Sequence, residues 1–243
     1  MKIFSDFPQG SLEWLAVRAG VITASEADAL FTPLWKLKDG KGPDTYLSEK
    51  LAEKWLGAAL PSFSSRQMED GSLREIEGIK TFQFQYDVEV RRTSFIARDD
   101  MAVGCSPDGL IGEDCGLELK CPAADTHVKY LLAGVLPPEY VVQVHFAMFV
   151  TGFPKWIFMS YRPSFPHLII TVHRDEKIIK TIEQGVNDFL DRLDDGYKKL
   201  VELNDGKEPE ENSFRASVLR GEVQPKPQSE SGPMEPENSD VIP

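Results

Sequence analysis

Ser106-Pro107-Asp108-Gly109, followed a few residues later by Glu118-Leu119-Lys120, is the stretch whose residue types could do chemistry. Side chains alternate along a strand, so a strand over 115–120 points Glu118 and Lys120 to one face and Leu119 to the other. If residues 102–108 form the adjacent strand, Asp108 at its end meets that pair. Two carboxylates and an ammonium then share one spot. Carboxylates with water suit Mg²⁺ or Mn²⁺, and a lysine beside them can orient or deprotonate a water. The set matches metal-assisted hydrolysis of a phosphodiester. Taken alone, the two stretches read equally well as a tight turn and an amphipathic edge strand.

The surrounding sequence supplies elements to hold these residues. Ser11 is placed to cap a helix carrying Leu12, Trp14, Leu15 and Ala19, and Ser25 with Asp28 to cap a short second helix. Pro43 opens a longer helix with Tyr46, Leu47, Leu51 and Trp55 on one stripe, ending at Gly57. Residues 67–82 read as a helix that buries Leu73, Ile76, Ile79 and Phe82. Strands are expected over 86–90, 94–98, 101–105 and 115–120, the last two pairing around a Gly/Asp-rich turn. Pro138–Gly152 reads as a buried helix. Strands near 155–161 and 167–173 precede a long helix over 175–200. The expected class is α/β, a central mixed sheet flanked by helices.

Of the 243 residues, 41% are hydrophobic, enough for a core and too many for wholesale disorder. Residues 204–243 differ: six of the 17 prolines and nine acidic against four basic residues fall there. They are expected to form a disordered acidic tail, dispensable for activity, behind one domain over 1–203. The net charge of −12 argues against a polybasic DNA coater, though not against a local basic patch. Lys36, Lys38, Lys41, Arg91, Arg92 and Arg98 are candidates for phosphate contacts. Cys105, Cys115 and Cys121 are too few for a disulfide framework or a four-cysteine iron–sulfur cluster. No apolar run is long enough for a membrane span, no signal peptide is read at the N-terminus, and no G-x-x-x-x-G-K-[ST] loop for ATP is present. The expected location is cytoplasmic, in a bacterial or phage-infected cell.

Five separated stretches occur in a telling order: Glu13 to Ser25 (EWLAVRAGVITAS), Gly71 to Glu75, Cys105 to Gly109, Gly116 to Pro122 (GLELKCP), and Tyr140 to Val144 (YVVQV). Over about residues 13–200 the chain resembles the phage lambda exonuclease and YqaJ-like viral recombinase nucleases of the PD-(D/E)xK superfamily. The resemblance implies a restriction-endonuclease-like core. It also implies a homotrimer that digests one strand of duplex DNA 5′→3′, leaving 3′ overhangs for a single-strand annealing protein.

Residue by residue, the resemblance makes Asp108, Glu118 and the Leu119 backbone carbonyl metal ligands, with two ions per site expected. It makes Lys120 the group that positions the attacking water, and Glu75 an acidic helper. Arg18, Ser25, Ser106 and Gln143 match the pocket for a terminal 5′ phosphate. Met68 matches an apolar wedge at the duplex end, and Arg66 a basic contact. Without the resemblance, Arg18 reads as a surface arginine, Gln143 as a core amide, Glu75 as a solvated helix face and Met68 as core. A same-fold endonuclease and a catalytically silent DNA-end scaffold are the rival functions.

Overall fold

The computed structural model describes residues 1–61 and 66–223, the side chains of 66–73 excepted. Two sheets carry the fold. In the first, β1 (Lys2–Phe4), β4 (Phe95–Ala97), β5 (Val103–Cys105) and β2 (Ile22–Thr23) lie in that order. In the second the order is β3 (Val90–Arg91), β6 (Gly109–Ile111), β7 (Cys115–Lys120), β8 (Lys155–Ser160) and β9 (Leu168–His173). The second sheet is mixed: β7 and β8 run parallel, and its other neighbours are antiparallel. The chain crosses from β5 to β6, and so from one sheet to the other, through Ser106-Pro107-Asp108.

This crossing corrects the expected hairpin. β5 pairs with β4 and β2, and the partner of β7 is β6, starting one residue after Asp108. The expected adjacency survives at one point, because the Asp108 N–H donates to the Leu117 carbonyl at 3.0 Å. Pro107 explains the break: it has no N–H to continue a ladder. Of the alternating run Tyr86, Val88 and Val90, only Val90 is in a strand, and Tyr86 closes the preceding helix.

The helices divide the core between them. α5 (Pro138–Thr151) buries Val142, Val144, Phe146, Ala147 and Met148 beside strands of both sheets. It starts at Pro138, where a missing N–H costs nothing, and ends at Gly152 in the left-handed region. α6 (Glu176–Leu203) places Ile179, Ile182, Val186 and Phe189 on one stripe against the same core, with Leu193 buried further along it. α2 (Lys41–Leu56) packs along α6, with Tyr46 stacked on Phe189 at 5.4 Å. α3 (Arg66–Tyr86) covers the other side of β7, where Ile79 and Phe82 join Leu117, Leu119, Met159 and Tyr161. It lies close: a β-carbon on Gly78 would come within 2.8 Å of Leu119. Ile76, expected to be buried, is 39% exposed, and the Leu73 side chain lies outside the described ones.

α1 (Leu12–Arg18) is capped by Ser11, whose hydroxyl accepts from the Trp14 N–H. Ser25 caps nothing. The following turn, Ala27–Ala29, is a single 3₁₀ turn without a side-chain cap, and the Ser25 hydroxyl faces Arg18 instead. The expected disordered tail is corrected over its first part. Asn212 caps α7 (Ser213–Leu219), and Ala216 and Val218 are buried, Val218 in the small core that holds Val17. Arg215 donates to the carbonyls of Ala16 and Ala19, which the end of α1 leaves without helical partners. Composition suggested disorder, but a few well-placed groups suffice when a neighbouring helix end needs donors. Residues 224–243 lie outside the described residues.

Candidate active site

β7 sorts its side chains as a strand must. Leu117 and Leu119 go to the α3 side with no exposure, while Glu118 and Lys120 face a cleft of about 220 Å³. Asp108 enters the same cleft at the sheet crossing. Its carboxylate accepts the Leu119 N–H at 2.6 Å, which fixes it beside the Leu119 peptide. The Lys120 ammonium and the Gln143 amide, from α5, both donate to Oε1 of Glu118, each at 2.6 Å. The Tyr140 ring lies 5.5 Å from the ammonium. Glu75, from α3, reaches the mouth of the cleft.

The charges are set against one another. Burial pushes the Asp108 carboxyl well above its ordinary pKa, and Glu118 and Glu75 add repulsion that Lys120 only partly offsets. Burial also raises Glu75, with Glu118 adding to the effect and Lys120 and Arg92 opposing it. Burial alone would lower the Lys120 pKa, but the Glu118 and Asp108 carboxylates reverse the sign and hold it above its ordinary value. These carboxylates favour the Lys120 ammonium, the form that can orient a water.

A second constellation shares the cleft. The Arg18 guanidinium donates to the Ser106 hydroxyl at 3.2 Å, to Thr23 at 3.4 Å and to Ser25 at 3.3 Å. It lies 4.1 Å above the Trp14 ring, and the Trp14 indole N–H donates to Ser106 at 2.9 Å. Three hydroxyls around one guanidinium make a site for an oxyanion. Ser106 is two residues from Asp108, so the anion site and the carboxylates are neighbours.

Arg18, Ser25, Ser106, Asp108, Glu118, Lys120, Gln143 and Glu75 all line this one cleft. Gln143 differs in its partner: it holds Glu118 rather than standing with Arg18 and the serines. Arg66 and Met68 lie in the first turn of α3, with side chains outside the described ones. Trp14 and Thr23 were missed by the sequence reading. Trp14 precedes Arg18 by four positions on one helix, the spacing of facing neighbours, and that was the available signal. Of the basic candidates, Arg92 lines a groove of about 740 Å³ that also reaches Asp108 and Glu75, and Lys41 stands in a hollow beside Ser25. Arg98 pairs with Asp100.

The YqaJ-like viral recombinase domain matches residues 13–154, more than half of the chain, including Arg18, Ser25, Glu75, Ser106, Asp108, Glu118, Lys120 and Gln143 of the cleft. The chain belongs to that family. Among solved structures, an alkaline exonuclease from Laribacter hongkongensis (LHK-Exo) is similar at 25% identity and a TM-score of 0.71, covering 81% of this chain and 99% of that one. LHK-Exo in complex with dAMP matches at 27% identity with the same TM-score and coverage. A phage-related exonuclease from Haemophilus somnus, 13% identical at a TM-score of 0.56 over 74% of this chain and 96% of that one, shares the fold. Among curated proteins, none matches the chain significantly. The core of this viral-recombinase-family chain is thus restriction-endonuclease-like, with mixed sheets flanked by helices.

In a member of this family the cleft must be weighed as a site for a divalent cation. Among the described residues, no group of three or more His, Cys, Asp or Glu side chains converges on one point. The donors at hand are two carboxylates, Asp108 and Glu118, with peptide oxygen of β7 beside them. Oxygen donors completed by water are the set that Mg²⁺ or Mn²⁺ takes. Burial, and after it repulsion from Glu118, raises Asp108; a cation would offset both, so the residues fit the group. Among the described residues, no helix is long and apolar enough to cross a membrane.

Proposed function

We propose that the chain is a divalent-metal-dependent exonuclease that digests duplex DNA 5′→3′ from its ends and leaves 3′ single-stranded overhangs. The observation that carries this reading is the sharing of one cleft: Ser106, bound by Arg18 and Trp14, lies two residues from Asp108. A terminal phosphate monoester carries more negative charge than an internal phosphodiester and offers a guanidinium fork more acceptor oxygens, so this site suits a strand end. The similar alkaline exonuclease was solved in complex with dAMP, in keeping with a nucleotide as ligand.

Arg18, Ser25 and Ser106 would hold the terminal 5′ phosphate, with Trp14 keeping the guanidinium in place. Asp108, Glu118 and the Leu119 carbonyl would hold Mg²⁺ or Mn²⁺, two ions in this reading, which when bound supplies charge stabilisation to the phosphodiester and acidifies a bound water. The Lys120 ammonium orients the attacking water, Gln143 keeps Glu118 in register, and Glu75 adds negative charge at the cleft mouth. Attack is in line: the water oxygen bonds to the scissile phosphorus and the bond to the 3′ oxygen breaks. That 3′ oxygen leaves with the terminal nucleotide and takes a proton. The new end carries a 5′ phosphate, which can enter the same pocket, so the chemistry regenerates its own substrate.

Supercoiled and linearised plasmid, each incubated with Mg²⁺ and with a chelator, test the reading. Loss of linear DNA alone, only with Mg²⁺, is the expected result. Loss of both forms would make the chain an endonuclease, and loss of neither a silent end-binding scaffold. The reading includes a homotrimer, a single-strand annealing partner and action in the cytoplasm, all carried by family membership. Light scattering should give three times the chain mass.

A further inference from the structure

Behind the anion site lies a set of charges that this reading leaves without a role. The Lys50 side chain, on α2, is only 4% exposed, and its ammonium meets two carboxylates, Glu26 at 3.0 Å and Glu53 at 2.8 Å. Burying an ammonium is expensive even when it is paired. Glu53 accounts for part of this: the backbone N–H groups of Gly20 and Leu60 donate to it, so it pins the segments that follow α1 and α2.

Glu26 is placed differently. It follows Ser25 directly, and its side chain is 41% exposed. Its carboxylate accepts from the Thr23 hydroxyl at 2.9 Å and the Tyr46 hydroxyl at 3.3 Å, besides Lys50. Arg18 donates to that same Thr23 hydroxyl and to Ser25. One hydroxyl thus separates the Glu26 carboxylate from the Arg18 guanidinium. Yet among the described residues no carboxylate pairs with Arg18; its partners are three hydroxyls. A carboxylate matches a guanidinium fork as a phosphate does, so an untethered Glu26 would compete for the site. Burial alone would raise the Glu26 pKa, but Lys50 first and Arg18 after it hold it below the ordinary value.

We propose that Lys50 is a positioning residue for end recognition: it anchors the Glu26 carboxylate against Tyr46 and Thr23, away from Arg18, and keeps the guanidinium open to a terminal phosphate monoester. This rests on the reading of Arg18, Ser25 and Ser106 as the end-binding pocket.

Initial rates on two blunt linear duplexes of one sequence, 5′-phosphorylated and 5′-hydroxyl, test it in the full chain with Mg²⁺. The parent should prefer the phosphorylated end. In Lys50→Met, Glu26 is released onto Arg18 and the preference should fall about 10-fold, the worth of one charge-assisted contact, mainly through KM for the phosphorylated end. Adding Glu26→Gln to that variant removes the competing anion and should restore most of the preference. A purely structural role for Lys50 gives the opposite result, since a second change in the same buried cluster deepens the loss. Full preference in Lys50→Met, or a double variant no better than the single, overturns the proposal. If Lys50→Met melts too low to assay, Glu26→Gln alone decides. Removal of the nearby anion should then raise the preference about 3-fold, and no rise overturns the proposal. A parent that ignores the 5′ phosphate removes the pocket reading and this proposal together; a parent that discriminates without suppression removes the proposal alone.

Discussion

In the proposed reading, Asp108 serves chemistry at the expense of stability. Its raised pKa means that the ionised carboxylate is held at a cost, from burial and from Glu118 and Glu75. Asp108→Asn keeps an oxygen to accept the Leu119 N–H and drops the charge. It should abolish digestion while raising the melting temperature of the chelated protein by about 2–4 °C, the shift expected from ~1 kcal/mol in a chain of this size. Calorimetry with and without Mg²⁺ checks both parts: Mg²⁺ should stabilise the parent and leave the variant unmoved. Substantial activity in the purified variant would end the assignment. Arg18 is the matching test of the anion site. Arg18→Ala should lose roughly 10- to 150-fold on 5′-phosphorylated ends and retain little preference over 5′-hydroxyl ends. Trp14→Phe keeps the ring beneath Arg18 but removes the N–H that holds Ser106, so it should lose part of that preference.

At the scale of elements, α1 positions both Trp14 and Arg18, and α7 holds α1. Arg215 satisfies the Ala16 and Ala19 carbonyls, and Val218 joins the core that holds Val17. Truncation after Asn204 should therefore lower the melting temperature and activity together, whereas truncation after Val223, which keeps α7, should leave rates within a few-fold. Thermal melts and rates on linear DNA separate the two truncated chains; equal behaviour would mean that α7 does not support the site. α5 carries a second test. His145 is buried on it, with Nδ1 2.8 Å from the Val141 carbonyl and the Trp35 ring edge-on at 5.2 Å. Burial lowers its pKa, against smaller opposing effects of the Val141 carbonyl and Asp175. The unfolded chain thus binds this proton more readily than the folded one. Its stabilising contribution is complete above the ordinary histidine pKa and is lost as pH falls from there to the depressed value. His145→Gln should flatten that part of the stability curve, which denaturant titrations at stepped pH would show.

For the whole molecule, a charge of −12 limits how the chain can meet DNA. A duplex is attracted along its length only by extended positive surface, whereas this chain gathers Arg18 and Lys120 in one cleft, with Arg92 in the adjoining groove. Digestion should therefore follow the number of ends. At equal DNA mass, cutting a linear duplex into about ten fragments should raise the initial rate roughly tenfold at subsaturating ends, and closed circles should compete poorly. Rates that track mass instead of ends would argue for binding along the duplex.

The sequence by itself determined that Glu118 and Lys120 share a face, because strand alternation is local and E-x-K must present both charges to one side wherever the strand lies. That Asp108 joins them was decided by the crossing between the sheets. The helices over 138–151 and 176–203 were legible for a similar reason, since their start at Pro138 and the repeating apolar stripe are written in adjacent residues. What lay beyond reach depends on partners distant in the chain. Whether 103–105 pairs with 115–120 or with strands at 22–23 and 95–97 is decided by competition among edges, which no local pattern records. Local pattern alone reads Ser25 as a cap; the family resemblance groups it with Arg18, and the fold brings the two together. Gln143 reads with the phosphate pocket until α5 sets it on Glu118. The acidic, proline-rich end reads as loose chain until α1 offers it two unpaired carbonyls. Packing between remote segments assigned each of these, because a polar group takes whichever partner the tertiary structure leaves unsatisfied.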